Sequence, residues 1–143
     1  MVGKYVAGAQ RSELHVKKRP DPKKNAQYAS RFEWAQHLAV FHKGDTRAAV
    51  VWNGTDEAST VALKAAGTSA VLVDSTGKET PLSPNGEGLL VVDLPPATRH
   101  FDLFGGDPAG YFYIGGPTFI VVETGVPGTA PVEAQGFARQ EGK

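Results

Sequence analysis

The chain has 143 residues, no cysteine and a formal net charge of zero. That length suits one domain with a real core, and the missing thiols exclude disulfides and thiolate metal sites. The charge is uneven: residues 1–30 carry +5 and residues 31–143 carry −5, so the larger part is mildly acidic and disfavours nucleic acid as a partner.

Seventeen Gly and ten Pro favour a turn-rich β-fold over a helical one. No stretch approaches the ~18–20 apolar residues of a membrane span, so no membrane partner is expected. The opening Met1-Val2-Gly3-Lys4-Tyr5 lacks the apolar segment of a signal peptide. The compartment is left open, with extracellular or periplasmic placement favoured if a secreted parent carries this domain.

Lys4–Ala7 reads as a short strand, with Glu13–Lys17 as its partner. The next nine residues, 17–25, hold two prolines and five basic side chains. They read as a solvated loop, with an anionic-ligand patch as the alternative. Tyr28, Phe32 and Ala35 have partial helical spacing, which allows one helical turn near 28–35.

Gln36–Lys43 and Thr46–Asn53 flank Gly44-Asp45 and predict a tight hairpin. Both faces of the second run are apolar through its centre, so it should be a central strand. Ala48, Val50 and Trp52 alternate against Ala49, Val51 and Asn53, and Trp52 is expected to be partly buried core. Further strands are expected at Ser59–Lys64, Ala70–Asp74, Lys78–Pro81, Gly88–Asp93, Arg99–Leu103, Tyr111–Ile114 and Thr118–Glu123. Turn signals separate them.

The pairs Val61/Leu63, Val71/Val73, Leu89/Val91 and Ile120/Val122 are the expected inner residues, joined by Val40 or Phe41. From Val126 onward the Gly, Pro and Ala content suggests a frayed, flexible tail or the start of a linker. The prediction is therefore an all-β, antiparallel two-sheet β-sandwich, jelly-roll or Ig-like, of about nine or ten short strands, over residues 1–125, with a flexible tail at 126–143.

Several runs together carry a family resemblance. They are Met1–Gly8, Leu38-Ala39-Val40-Phe41, Ala48-Ala49-Val50-Val51-Trp52, Val71-Leu72-Val73-Asp74 with Gly77, and Gly115 through Glu123. Their order resembles the small β-sandwich that follows the catalytic (β/α)₈ barrel in many glycoside hydrolases. The resemblance implies an accessory, non-catalytic domain that packs on a barrel or binds a polysaccharide or oligosaccharide. The segments 17–34 and 95–116 are longer than that pattern.

Those two interruptions hold the candidate sugar-binding residues. An apolar pyranose face stacks on aromatic rings, while its hydroxyls bind polar groups. Trp34, Tyr28 and Arg31 form one candidate platform, with an end cap or a domain interface as the alternative. Tyr111, Tyr113 and Asp102 form the second.

Glycoside hydrolysis needs two carboxyl groups, one of them held protonated. Most acids here fall in turns, so no catalytic residue is assigned, and a small stand-alone hydrolase is the weakest reading. His37 and His42 are five apart on one strand and leave opposite faces, which prevents a shared metal. No cofactor is expected, apart from a possible calcium near Asp102 and Asp107. Asn53-Gly54-Thr55 matches a glycosylation sequon and equally suits a simple turn. The competing class of function is a structural or protein-interaction sandwich without sugar binding.

Overall fold

The computed structural model describes residues 2–18, 35–55, 57–101, 111–114 and 117–140. One short helix, α1 (Val2–Val6), precedes eleven strands among these residues. In chain order they are β1 (Arg11–Lys18), β2 (Ala35–Lys43), β3 (Thr46–Asn53), β4 (Ser59–Lys64), β5 (Ser69–Val73) and β6 (Glu79–Pro81). β7 (Leu89–Leu94), β8 (Thr98–Phe101), β9 (Tyr111–Ile114), β10 (Phe119–Thr124) and β11 (Ala138–Arg139) follow.

All pairings are antiparallel. The main sheet has seven strands in the order β11-β1-β2-β3-β10-β5-β6. β4 pairs with β7, and β8 pairs with β9. Residues 133–135 run along the free side of β4, through the Lys64 N–H to Glu133 and the Gln135 N–H to Ala62. The protein is thus an antiparallel, all-β sandwich, as its sequence predicts.

The β2–β3 hairpin closes through Gly44-Asp45, with Lys43 opposite Thr46. Gly44 has φ 58°, a left-handed conformation that lets a two-residue turn follow the strand twist. As predicted, β3 is central, between β2 and β10.

Two apolar layers sit on the main sheet. On its inner face Leu38, Val40, Ala49, Val51 and Val121 meet Val61, Leu63, Leu90, Val92 and Leu94 from β4 and β7. Each such Val or Leu contributes about 1.5–3 kcal/mol when fully buried. On the outer face Ala48, Val50, Val73 and Ile120 are buried, and half-buried Ala39, Phe41, Trp52, Val71 and Val122 surround them.

The structure corrects several strand phases and ends. In β7 the buried residues are Leu90, Val92 and Leu94, whereas Val91 is 40% exposed and Leu89 half-buried. Val71/Val73 and Ile120/Val122 face the outer layer, while Leu72 and Val121 face the inner one. Each of these runs is apolar in both phases, so alternation alone does not choose between faces.

Lys4–Ala7 is not a strand. α1 occupies Val2–Val6 and ends with the Ala7 N–H donating to Gly3. Tyr5 and Val6 lie against the outer layer, and the Tyr5 hydroxyl donates to Glu79 at 2.6 Å. A single turn is too short to be stable alone, so these contacts hold it. β1 pairs instead with β2 on one side and β11 on the other.

The segment after residue 125 also departs from the expected fray. Val126 is buried, and its N–H donates to the Asp45 carbonyl. Val132, Ala134 and Phe137 lie against the inner core. This segment closes the open side of the sandwich between the β1 edge and β4.

Candidate functional site

Tyr28, Arg31, Trp34, Asp102 and Asp107 lie outside the described residues. Tyr111 and Tyr113 fall in β9, where the register pairs Tyr111 with Phe101 and Tyr113 with Arg99. Directly paired residues share a face of an antiparallel ladder. The β8–β9 ladder therefore brings three aromatic positions and one arginine position together. Phe101 and Arg99 were not singled out from the sequence. Their strand was, and the register adds them.

Trp52 lies at the far end of the outer layer, half-buried as expected. Its ring stacks on His37, with centroids 4.9 Å apart and planes 10° from parallel. His37 and Trp52 are cross-strand partners, which is the close pairing that favours such ring contacts.

His42 sits on the other face, in a network the sequence did not reveal. Glu13 bridges two histidines: His15 Nε2 donates at 2.8 Å and His42 Nε2 at 3.1 Å. Arg11 contacts His42 Nδ1 at 3.4 Å and donates to the Gly128 carbonyl at 2.9 Å. A guanidinium has only donors, so His42 Nδ1 must accept and the ring is the neutral Nε2–H form. Burial pushes the His42 pKa down, and the Arg11 and Arg47 charges add to that against the pull of Glu13. Burial would raise Glu13, but the hydrogen bonds from His15 and His42 prevail and hold it low. Both ring Nε2 atoms are spent on the carboxylate. Among the described residues no group of three or more His, Asp or Glu is arranged to hold a metal.

A second buried charge cluster joins Arg47 and Glu123, which are cross-strand partners on β3 and β10. Arg47 also donates to the carbonyls of Lys64 and Pro131, each at 3.1 Å. The other Glu123 oxygen accepts from the Ala66 and Gly67 N–H groups at 2.7 and 2.9 Å. Gly67 is required there, because a Cβ would stand 2.4 Å from the Thr124 carbonyl oxygen.

The sequon is occupied by structure. Asn53 is fully buried. Its amide donates to the carbonyls of Glu57 and Pro95, and its oxygen accepts from the N–H and hydroxyl of Thr55. Nearby on β2, Gln36 is also fully buried, and its amide has no hydrogen-bond partner among the described residues.

A cleft of about 470 Å³ opens where the closing segment meets the two sheets. Leu89, Val132 and Phe137 supply apolar wall; His15, Lys64, Glu133, Gln135 and Arg139 supply polar groups. Comparison with protein-family models, with curated proteins and with solved structures returned no match.

Proposed function

We propose that this chain is a non-catalytic, carbohydrate-associated accessory β-sandwich of a polysaccharide-processing protein. The observation that carries the reading is the β8–β9 ladder, which groups Tyr111, Tyr113, Phe101 and Arg99. Aromatic and arginine positions paired in one ladder suit a sugar, whose C–H face stacks on rings and whose hydroxyls accept hydrogen bonds. The resemblance to barrel-appended sandwiches supports the same class. Trp34, Tyr28, Arg31 and Asp102 remain part of the proposed surface, with calcium near Asp102 and Asp107 as a proposed accessory ligand.

Three of the described acids are engaged in ways that favour structure over acid catalysis. A glycosidic general acid needs a raised pKa. Asp74 is held low by the Thr76 hydroxyl, then by the Lys78 N–H. Glu79 is held low by the Tyr5 hydroxyl and Lys4. Glu123 spends both oxygens on Arg47 and backbone N–H groups.

Affinity electrophoresis through gels carrying neutral or acidic polysaccharides tests the reading. Retarded migration is expected, and Tyr111→Ala, Tyr113→Ala or Trp34→Ala should relieve it. Unretarded migration in every gel would sink it. A second reading, a structural or protein-interaction sandwich, is favoured by the half-buried outer layer around Trp52 and Phe41. Under that reading no gel retards the protein, and hydrogen exchange in β2 and β3 slows when a parent barrel domain is added.

A further inference from the structure

We propose that the cleft beneath the closing segment is a second binding site, specific for an acidic sugar unit such as a uronate. The inference rests on the carbohydrate reading above and names a ligand class for this cleft. Its first support is shape. A volume of about 470 Å³ falls within the range of small-ligand sites and accommodates one or two pyranose rings.

Its second support is the wall. Phe137, Leu89 and Val132 are half-buried, and together they offer an apolar surface to a ring's C–H face. Gln135 stands beside them with an amide that both donates and accepts.

Its third support is charge. Lys64 and Arg139 line the cleft. The Lys17 stem packs against Gly136, between the lining residues Gln135 and Phe137, within about 3 Å of the position a Cβ there would take. Glu133 also lines the cleft and pairs with Lys64 at 3.3 Å, so those two charges offset, while Glu13 accepts from both histidines and lies within reach of the Arg139 charge. Arg139 stands opposite His15 in the β1–β11 ladder. An arginine fork matches a carboxylate in two parallel hydrogen bonds, which a neutral hydroxyl does not reproduce. With Lys64 balanced by Glu133, Arg139 is the lining group that selects an anionic ligand.

The test titrates the full chain with a galacturonate tetramer and, separately, a neutral xylose tetramer. Calorimetry gives affinity, and backbone amide NMR shifts give location. The acidic tetramer is expected to move the amides of Gln135, Phe137 and Arg139. Arg139→Gln should weaken it by roughly tenfold, the usual size of one lost charge-assisted contact. Phe137→Ala should weaken it too. Native-like spectra of Arg139→Gln confirm that β11 still docks. If the acidic tetramer binds with no shift in the cleft, or ignores Arg139→Gln, the inference falls while the carbohydrate reading stands. If neither tetramer binds and no gel retards the protein, both fall.

Discussion

The Glu123 carboxylate accepts from Arg47 on one oxygen and from Ala66 and Gly67 on the other. Both side chains are fully buried, so each charge depends on the other for solvation. Glu123→Gln leaves the guanidinium uncompensated and should cost about 3–5 kcal/mol in urea denaturation. Replacing both partners, Arg47→Met with Glu123→Leu, should cost less than Glu123→Gln alone. An equal or greater loss from the double variant would refute that account. None of this was legible in the sequence. Arg47 and Glu123 are 76 positions apart, and only the β3–β10 register brings them together.

At the scale of elements, ladder phase explains what was legible and what was not. The β2–β3 hairpin could be read because Gly44-Asp45 marks a turn between two apolar runs. Leu89 and Val91 turn away from the core although the sequence pattern points them inward, because Leu-Leu-Val-Val is apolar in both phases. Asp93 shares the phase of Val91, and that charge was the overlooked clue. Val92→Thr should therefore cost about 1–3 kcal/mol through an unsatisfied buried hydroxyl, whereas Val91→Thr should stay within about 0.5 kcal/mol of wild type. Thermal melts of the two variants check the phase, and equal losses would contradict it.

The β1–β2 ladder also carries a pH dependence. His42 has a folded pKa below 6.5, so the unfolded chain binds its proton first. Its contribution is complete above about 6.5 and is lost as pH falls through the folded value. Glu13, held below 4.5 in the fold, adds a loss of the same sign at lower pH. Stability should decline from pH 7 to pH 5, and His42→Gln should flatten that decline. A steeper decline in the variant would exclude His42 as the source.

For the whole molecule, the closing segment changes where the domain ends. The Gly and Pro content after Val126 suggested a linker, because composition reports turn content and not what the turns touch. In the structure the segment joins β1, β4 and the hairpin turn through backbone hydrogen bonds. It also supplies Val132, Ala134 and Phe137 to the inner core. Truncation at Gly125 should lower the melting temperature and expose the β1 edge, giving self-association in size-exclusion chromatography. A monomer of unchanged stability would show the segment to be dispensable. The tyrosine ladder was partly legible in the Tyr111–Ile114 alternation, but its partners on β8 required the register. The cleft was not legible, because its walls come from strands and a segment far apart in the chain.

Asn53 closes its own sequon once the domain has folded. Its side chain is locked among Thr55, Glu57 and Pro95, so the finished domain offers nothing to a glycosyl-transferring enzyme. In a eukaryotic secretory pathway, glycan attachment at Asn53 would have to precede closure of that turn. Every molecule carrying the glycan would then be one that folded too late. Glycan occupancy, read by mass spectrometry, should be near zero for the wild-type chain and should rise in slow-folding variants.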